Sequence, residues 1–585
     1  MTYKLLSGNE AFARGAYEAD VKVVSSYPGT PSTEITEHIS KYSDIYAEWA
    51  TNEKVALEVA IGASLAGKRA LTCMKHVGLN VAADPLMTVS YTGVNAGLVI
   101  VVCDDPGMYS SQNEQDSRHY GHISKLPILE PSDSSEAKNF VKEAFEISEK
   151  FLCPVIVRST TRISHSKSRV TLDDKLNLEN RSLEINPEKW VMVPANAIMR
   201  HQIVEERMLK LEDFSENFHL HKIEYNSKEI GFICSGIVYQ YIKETFPNAS
   251  IFKLAIVYPL PIKSIKKFIS SIKDVYCIEE LDPVLEKELK ASGCRIKSVV
   301  RSYCGELSPD RVKEIFRKKQ KERIKLDIPT RPPNLCPGCS HRGIFYAINK
   351  LKLFVTGDIG CYTLGYLKPL NAIHSCICMG ASISMAHGID KSNKIEDNKI
   401  DRKTVAVIGD STFFHTGING LINCAYNKSC STIIILDNRT TAMTGHQDSP
   451  STGITLKKEK SNKIDFVKLA EAIGVKNIKV VNPMELDRCI EVLKEETEKD
   501  ELSLIVTNRS CIYVDRDIIS NPYYIESKNC TGCKACLKLG CPAISFDKKQ
   551  PKANIDETLC TGCSLCTSLC KFDAIKERSY VKNEN

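Results

Sequence analysis

The sequence lacks the apolar runs that a membrane span or a secretion signal requires. No uninterrupted run of about 18 apolar residues occurs among its 585 residues. Its first residues, MTYKLLSGNEAFARG, contain no apolar stretch of signal-peptide length. We therefore predict a cytoplasmic protein that has no membrane partner.

The sequence also has little excess charge of either sign. Its 78 basic and 72 acidic residues leave a net charge of +6. Spread over a chain of this length, so small an excess predicts neither a nucleic-acid partner nor a basic patch for a membrane surface. With 43% hydrophobic and 26% charged residues, the chain has the composition of a folded protein with about three or four globular domains.

Cysteine is the residue type that stands out. The sequence has 24 cysteines, and eight of them fall in the last 56 residues. A distribution this uneven argues against a disulfide scaffold. In a reducing compartment, clustered cysteines are better explained as metal ligands.

These eight cysteines form an internal repeat of two Cys-x-x-Cys-x-x-Cys runs, each closed by a fourth cysteine. The repeat matches the bacterial-type ferredoxin pattern, in which the fourth thiolate of each [4Fe-4S] cluster comes from the other run. The first cluster would then be held by Cys530, Cys533, Cys536 and Cys570, and the second by Cys541, Cys560, Cys563 and Cys566.

Zinc is the alternative ligand, but a zinc site has no need of the third, evenly spaced cysteine in each run. The runs depart from the ferredoxin pattern in two ways. Four residues rather than three precede Cys541, and Lys571 follows Cys570 where a proline is usual. We expect the extra residue to alter the geometry or stability of the first cluster, and the missing proline to change little.

A βαβ unit is predicted upstream. The stretch KTVAVIGDS (403–411) indicates a strand that ends at Gly409, Asp410 and Ser411, and STIIILDN (431–438) indicates a second strand that ends at Asn438, with a helix between them. Parallel strands of such a unit bring Asp410 and Asn438 side by side at their carboxyl ends. Carboxylate, amide and carbonyl oxygens suit Mg²⁺. A tight turn with a capping aspartate is the alternative.

Gly-Asp followed by an Asn resembles the diphosphate-binding motif of thiamine-diphosphate enzymes. That resemblance implies that Asp410, the Asn438 side chain and the Thr440 carbonyl hold the Mg²⁺ that binds the cofactor's diphosphate. Gly409 and Ser411 lie in the same motif, and Ser411 departs from the commoner glycine at its position.

Thiamine enzymes also need a carboxylate that hydrogen-bonds the aminopyrimidine ring, and Glu53 is the candidate. It begins a predicted helix whose small and apolar residues share one face, namely Val55, Ala56, Val59, Ala60 and Ala63. A charge-assisted hydrogen bond of this kind contributes roughly 1.5–3 kcal/mol. The alternative is that Glu53 only favours the helix dipole, which contributes about 0.3–1 kcal/mol.

With both elements present, the sequence resembles the alpha subunits of indolepyruvate ferredoxin oxidoreductases over essentially its whole length. That family is similar in its nonstandard gap before Cys541. Seven stretches carry the resemblance: YPGTPSTEI (27–35), KHVGLNVAADPL (75–86), DDPGMYSSQNEQDSRHY (104–120), LCPGCSHRGIFYAI (335–348), TGDIGCYTLG (356–365), CICMGASISMAHG (376–388) and DNRTTAMTGHQ (437–447).

The resemblance implies an α/β protein with two thiamine-diphosphate-binding domains, whose parallel sheets are flanked by helices, a middle α/β domain and an α+β ferredoxin domain. We expect the pyrimidine-binding domain at 1–185, the middle domain at 186–325, the diphosphate-binding domain at 326–520 and the ferredoxin domain at 521–585. A basic, proline-containing linker at 316–334 would precede the diphosphate-binding domain.

The function implied is oxidation of an aryl 2-oxo acid such as indolepyruvate with coenzyme A, giving aryl-acetyl-CoA, CO₂ and reduced ferredoxin. The partners implied are a smaller beta subunit and ferredoxin. Two other functions stay open. One is a nonredox thiamine-diphosphate decarboxylase or synthase with a structural iron-sulfur tail, and the other is a noncatalytic electron carrier.

Two further hypotheses concern single residues. Related 2-oxo acid oxidoreductases hold a proximal [4Fe-4S] cluster with cysteines similar to Cys336, Cys339, Cys361 and Cys511. Alternatively, the first two cysteines shape a tight loop and the other two are buried small hydrophobic residues.

His76 and His341 lie in glycine-containing stretches that suggest loops, and we predict that they act as acid or base near pH 7.

Overall fold

The computed structural model describes residues 2–179, 181–183, 185–299, 304–317, 333–395 and 403–578. The chain divides into two compact units, residues 1–326 and 327–585. Most of the predicted linker at 316–334 lies outside the described residues. No helix within the described ranges is long and apolar enough to cross a membrane.

The first unit alternates strands and helices. Its strands are β1 (Thr2–Ser7), β2 (Val23–Ser26), β3 (Tyr46–Trp49), β4 (Ala70–Lys75), β5 (Leu98–Asp104), β6 (Ile128–Leu129), β7 (Val155–Thr160), β8 (Lys167–Leu172), β9 (Lys222–Glu224), β10 (Ile230–Ser235), β11 (Ser250–Leu254), β12 (Ile256–Tyr258) and β13 (Asp274–Cys277). Its helices are α1 (Gly8–Glu18), α2 (Thr33–Ile39), α3 (Glu53–Leu65), α4 (His76–Val81), α5 (Ala83–Thr92), α6 (His119–Ser124), α7 (Ser134–Phe151), α8 (Thr161–His165), α9 (Pro187–Trp190), α10 (Pro194–Glu216), α11 (Val238–Thr245), α12 (Ile262–Ser270), α13 (Val284–Ala291) and α14 (Pro309–Arg317).

The second unit contains a larger α/β part and a small C-terminal part. Its strands are β14 (Phe354–Gly357), β15 (Ser375–Cys376), β16 (Thr404–Gly409), β17 (Thr432–Asp437), β18 (Asn477–Val481), β19 (Ser503–Asn508), β20 (Tyr523–Ile525), β21 (Ile544–Asp547), β22 (Lys552–Ile555) and β23 (Ile575–Glu577). Its helices are α15 (Arg342–Lys350), α16 (Ala381–Ile395), α17 (Asp410–Thr412), α18 (Ile418–Tyr426), α19 (Phe466–Ile473) and α20 (Leu486–Glu498).

A seven-stranded sheet with the order β12-β6-β7-β5-β4-β2-β3 dominates the first unit. All its pairings are parallel except the one between β12 and β6. Every residue of β5 is buried, because helices cover both faces of a parallel sheet. The expectation of a parallel sheet flanked by helices is confirmed for this unit.

The stretch FKLAIV, which reads as one strand of the middle domain, serves two sheets. Residues up to Leu254 belong to β11, in a four-stranded sheet of order β13-β10-β11-β9. After Ala255 the chain continues as β12, which pairs antiparallel with β6 so that Ile256 lies opposite Leu129. The segment 186–325 thus supplies an edge strand to the seven-stranded sheet, and the boundary at 185 stays a prediction.

A buried ion-pair network joins the same parts of the first unit. Arg118 is 1% exposed, and its guanidinium contacts Asp116 at 2.6 Å and Glu279 at 2.7 Å. It also donates hydrogen bonds to the carbonyl oxygens of Glu280 and Asp282, at 2.9 and 3.0 Å. Breaking a buried pair of this kind by removing one partner typically costs about 3–5 kcal/mol.

Six parallel strands in the order β15-β14-β16-β17-β19-β18 form the main sheet of the second unit. Alternate residues of one strand enter different cores, because side chains alternate across a sheet. Val405 and Val407 pack into the core on one face, and Ala406 and Ile408 pack into the core on the other. The predicted βαβ unit is confirmed, since β16 and β17 are parallel neighbours.

The C-terminal part of the second unit consists of two antiparallel pairs, β20 with β23 and β21 with β22. Its core contains Leu539 and Leu565 together with Leu486 of α20, and Tyr346 of α15 packs against it. The cysteine-rich part therefore shares its core with the α/β part. The predicted α+β character of this region is confirmed.

Candidate active site

Asp410 and Asn438 lie at the carboxyl ends of neighbouring strands, as predicted. Gly409, the last residue of β16, is opposite Leu436 of β17. Both Asp410 and Asn438 are buried. A Cβ on Gly409 would lie 2.6 Å from the Tyr362 ring, so this glycine makes room for a packed aromatic side chain directly before the aspartate.

Three oxygen atoms can meet at this edge of the sheet. One end of the Asn438 amide lies 3.2 Å from Asp410 Oδ1 and 2.8 Å from the Thr440 carbonyl oxygen. If that end is nitrogen, it donates to both oxygens; if it is oxygen, it accepts from the Thr440 N–H at 3.3 Å, and the amide orientation is an assignment. Octahedral Mg²⁺ with ligands at about 2.0–2.1 Å places adjacent oxygens about 2.9 Å apart. The oxygen orientation therefore fits Mg²⁺.

The electrostatics of the site also favour a cation. Burial and the neighbouring Asp437 raise the pKa of Asp410 to about 7, and burial raises the pKa of Asp437. Asp410 accepts hydrogen bonds from the Ser411 N–H at 2.8 Å and from Ser451 Oγ at 2.9 Å. Asp437 accepts a hydrogen bond from the Arg439 N–H at 3.1 Å. These three neutral donors supply no full positive charge to the pair of carboxyls, and a divalent cation would. Ser411 Oγ accepts from Thr441 at 2.8 Å and so joins the two loops.

Glu53 begins α3 in the first unit, as predicted, after the N-cap residue Asn52, which accepts the Val55 N–H at 2.9 Å. Glu53 is 4% exposed. The buried face of the helix is Glu53, Ala56, Leu57, Ala60 and Ser64. Of the other residues predicted to share this face, Ala63 packs against the core, whereas Val55 and Val59 are only partly buried.

The Glu53 side chain lies directly against the backbone of α4. A Cβ on Gly78 would lie 2.6 Å from both Cγ and Oε1 of Glu53. Only glycine leaves the carboxylate in this position. The glycine of the stretch KHVGLN, Gly78, therefore provides the space that the Glu53 carboxylate occupies.

His76 is the first residue of α4, so its predicted loop position is wrong. It is 1% exposed, and neither ring nitrogen has a hydrogen bond of ordinary geometry within the described part of the chain. Burial lowers its pKa against an opposing effect of Asp104. His76 is thus a buried neutral imidazole with two unsatisfied nitrogens.

Sequence reasoning missed Lys75, the last residue of β4. It is 7% exposed, and its ammonium donates to the Ser110 carbonyl at 2.7 Å and to Ser110 Oγ at 3.1 Å. Burial lowers its pKa to about 8, and Asp105 opposes the shift. Lysine at the end of an otherwise uncharged, buried strand was the available indication.

His341 lies in the turn that directly precedes α15, as predicted, and it is buried. Its ring packs edge-on against Tyr362, with the ring centroids 6.0 Å apart. Burial lowers its pKa to about 4, so it is neutral at pH 7. Tyr362 in turn lies next to Gly409, directly before Asp410.

Two cavities in the C-terminal part carry the predicted groups of cysteines. The first cavity is lined by Cys530, Cys533, Cys536 and Cys570. The second cavity is lined by Cys541, Cys560, Cys563 and Cys566. Thiolate is the ligand that iron-sulfur clusters require, so each set fits one cluster. Across the described ranges, no three His, Cys, Asp or Glu side chains are arranged to hold a single metal ion.

The extra residue before Cys541 belongs to the second cavity. It lengthens the turn from Leu537 to Gly540, where Gly540 has φ +62°, and the turn delivers Cys541 to the second cavity. The expectation that it alters the geometry or stability of the first cluster stays a prediction, although the cysteine that follows the gap lines the second cavity.

Cys336, Cys339, Cys361 and Cys511, here called the inner cysteines, lie in one neighbourhood. Burial raises the thiol pKa of each of the last three, and Cys336 contributes to the rise in every case. The Cys511 N–H donates to the Asn438 carbonyl at 3.0 Å. On the other side, a Cβ on Gly338 would clash with Thr561 of the second cavity. The inner cysteines thus lie next to the end of the sheet that carries Asp410 and Asn438, here called the metal-binding edge after its proposed ligand, and next to the second cavity.

Comparison with protein families matches three parts of the chain. Residues 14–220 match the family "Pyruvate flavodoxin/ferredoxin oxidoreductase, thiamine diP-bdg". Residues 358–507 match "Thiamine pyrophosphate enzyme, C-terminal TPP binding domain", and residues 553–576 match "4Fe-4S binding domain". The chain therefore contains two thiamine-diphosphate-binding domains, one in each unit, and its C-terminal part is a ferredoxin domain.

The chain is similar along nearly its whole length to three proteins named indolepyruvate oxidoreductase subunit IorA. Identity is 39% with those of Pyrococcus horikoshii and Pyrococcus abyssi, covering 98% of this chain and 96% of each relative. Identity is 38% with that of Archaeoglobus fulgidus, covering 98% of this chain and 97% of the relative.

We expect the substitution Gly78→Ala to displace the Glu53 carboxylate and lower turnover. Loss of a charge-assisted hydrogen bond of roughly 1.5–3 kcal/mol corresponds to about a 10- to 150-fold loss. Glu53→Gln should have a similar effect. Turnover, thiamine diphosphate affinity and iron content would be measured together, and iron should stay unchanged.

Gly62→Ala is the matched control, because it adds the same methyl group to α3 where no atom lies within 4 Å. It should keep full activity. Wild-type turnover in Gly78→Ala would show that the position of Glu53 does not matter.

Proposed function

The chain belongs to the family of indolepyruvate oxidoreductase IorA subunits, and from this premise we propose that it oxidises aryl 2-oxo acids such as indolepyruvate. It is a subunit of a thiamine-diphosphate-dependent 2-oxo acid ferredoxin oxidoreductase. In the proposed reaction, the 2-oxo acid, coenzyme A and two oxidised ferredoxins give aryl-acetyl-CoA, CO₂, a proton and two reduced ferredoxins. The observation that carries the proposal is the succession of cysteine sets beside Asp410 and Asn438.

Thiamine diphosphate, when bound, supplies the electron sink that allows a 2-oxo acid to lose CO₂. In our proposal Asp410, Asn438 and the Thr440 carbonyl hold Mg²⁺ against the diphosphate. Glu53 hydrogen-bonds the aminopyrimidine, and Gly78 keeps it in place. The eight ferredoxin cysteines hold two [4Fe-4S] clusters that accept the two electrons one at a time.

We assign the carboxylate of the 2-oxo acid to Lys75. Its ammonium donates only to Ser110 among the described residues, which leaves a donor for an anion. Lys75 immediately precedes α4, the helix that carries Gly78 against Glu53. The neutral ring of His76 lies next to it in sequence and can accept a proton without first losing one. His341 is the weaker candidate, because it reaches the metal-binding edge through Tyr362.

The partners proposed are a beta subunit and a soluble ferredoxin, because the relatives are named as subunits and the clusters need an acceptor. We also propose a cytoplasmic location, on the strength of the cysteine content. Two alternatives remain in competition with the oxidoreductase. A pure electron carrier would have no use for the thiamine-binding domains, and a nonredox lyase would have no use for the succession of cysteine sets.

Dye reduction separates the oxidoreductase from the lyase. With an arylpyruvate, thiamine diphosphate, Mg²⁺ and an oxidised viologen dye under anaerobic conditions, the αβ complex should reduce the dye only when coenzyme A is present. Aryl-acetyl-CoA should form in proportion. Accumulation of the aldehyde with the dye left oxidised would identify a lyase.

Lys75→Met should raise KM for the arylpyruvate by about 10- to 150-fold, since a charge-assisted hydrogen bond contributes roughly 1.5–3 kcal/mol. In the wild type, KM should also rise above pH 8, because the ammonium loses its proton as the pH passes its pKa of about 8. Lys75→Arg should keep KM low at high pH. A KM unchanged in Lys75→Met would remove this assignment.

We further propose that the inner cysteines hold a third [4Fe-4S] cluster between the metal-binding edge and the second cavity. Their common neighbourhood and the hydrogen bond from Cys511 to Asn438 support it. Anaerobically prepared protein should contain about twelve iron atoms per chain, four for each cluster. A content of about eight, unchanged in Cys361→Ser, would refute the third cluster.

A further inference from the structure

Arg342 is a buried guanidinium surrounded by carbonyl oxygens. It is the first residue of α15 and is 1% exposed. It donates to the Leu539 carbonyl at 2.7 Å, to the Leu335 carbonyl at 2.6 Å and to the Cys336 carbonyl at 3.0 Å. Within the described residues no carboxylate forms an ion pair with it, and its Nε has no partner. Its positive charge is therefore held out of water without a counter-ion.

The position of Arg342 is between two sets of cysteines. It lines the second cavity together with Cys541, Cys560, Cys563 and Cys566. Through the Cys336 carbonyl it also contacts the loop of the inner cysteines. Arg342 thus donates hydrogen bonds both to the Leu539 carbonyl, in the turn before Cys541, and to the Cys336 carbonyl, in the loop of the inner cysteines.

Arg342 is therefore a fixed positive charge in the lining of the second cavity, held there by its hydrogen bond to the Leu539 carbonyl. A positive charge in that position would stabilise the negative charge that arrives with an electron.

The four-residue turn before Cys541 lies against Arg342, which donates to its Leu539 carbonyl. Gly540, the last residue of that turn, has φ +62°. A Cβ there would lie 2.7 Å from Pro369, so a side chain at this position would disturb the turn that carries the Leu539 carbonyl.

We infer that Arg342 raises the reduction potential of the cluster held by Cys541, Cys560, Cys563 and Cys566, which makes that cluster the favoured acceptor for electrons leaving the thiamine site. The inference rests on the proposed function. In each step the cluster would accept one electron and pass it to the cluster held in the first cavity, with no bond formed or broken. Net charge and hydrogen bonding near a cluster are known determinants of its potential, and Arg342 acts through charge.

The alternative is that Arg342 only clamps three carbonyl groups together. Two neutral variants distinguish the roles. Arg342→Met fills the space with an apolar side chain and removes both the charge and the donors, and Arg342→Gln removes the charge but keeps one donor group. Arg342→Lys keeps the charge but loses the planar fork that contacts several carbonyls.

The experiment is an EPR-monitored redox titration of the αβ complex, with the iron content measured for each preparation. In a neutral variant that keeps its iron, one cluster should become at least tenfold harder to reduce, a shift of about 59 mV to lower potential for a one-electron couple. Arg342→Lys should shift less. Arg578→Gln is the matched control, because this arginine is also in the ferredoxin domain but pairs with Glu557 at the surface, and it should leave both potentials unchanged.

An unshifted potential in a neutral variant with full iron would overturn the inference. Loss of iron from both neutral variants would identify Arg342 as a structural clamp and would overturn it too. The proposed function fails separately: wild-type protein with two reducible clusters and no dye reduction refutes the oxidoreductase while leaving the role of Arg342 to be decided by the titration.

Discussion

Burial of negative charge is the constraint on which the second unit depends. Asp410 and Asp437 lie together at the end of two apolar strands, and burial raises the pKa of both. Twelve cysteines of the inner set and the two cavities would have to become thiolates to bind clusters. Desolvated charge of one sign is costly unless it is compensated. Bound metal ions and clusters would provide most of the compensation, and Arg342 provides a fixed charge that remains whether or not a cluster is present.

Much of this arrangement follows from local sequence. The apolar runs before Asp410 and Asn438 predict parallel strands, and the topology then requires the two side chains to meet. The start of α3 at Glu53 follows from its N-cap Asn52. The groups of cysteines follow from the spacing of a repeat. In each of these cases a short stretch determines the geometry, so no knowledge of distant contacts is needed.

Other features depend on contacts that no short stretch contains. FKLAIV is apolar apart from Lys253, and nothing in it indicates that Ala255 separates two sheets. The partial exposure of Val55 and Val59 depends on which neighbours cover α3. Lys75 and Arg342 are common residue types that become unusual only when burial without an ion-paired carboxylate is known. The gap before Cys541 belongs to the first run in sequence, whereas Cys541 itself lines the second cavity.

The core shared between Leu486, Leu539 and Leu565 has a consequence for the modularity of this protein. A ferredoxin domain attached by a tether could be lost, exchanged or encoded as a separate chain without disturbing its neighbour. Here removal of the segment after residue 520 would expose apolar side chains of α15 and α20 and would leave Arg342 without its Leu539 contact. The ferredoxin domain and the diphosphate-binding domain are consequently expected to evolve together. A change of electron acceptor would then require substitutions on the exposed surface of the ferredoxin domain rather than replacement of the domain.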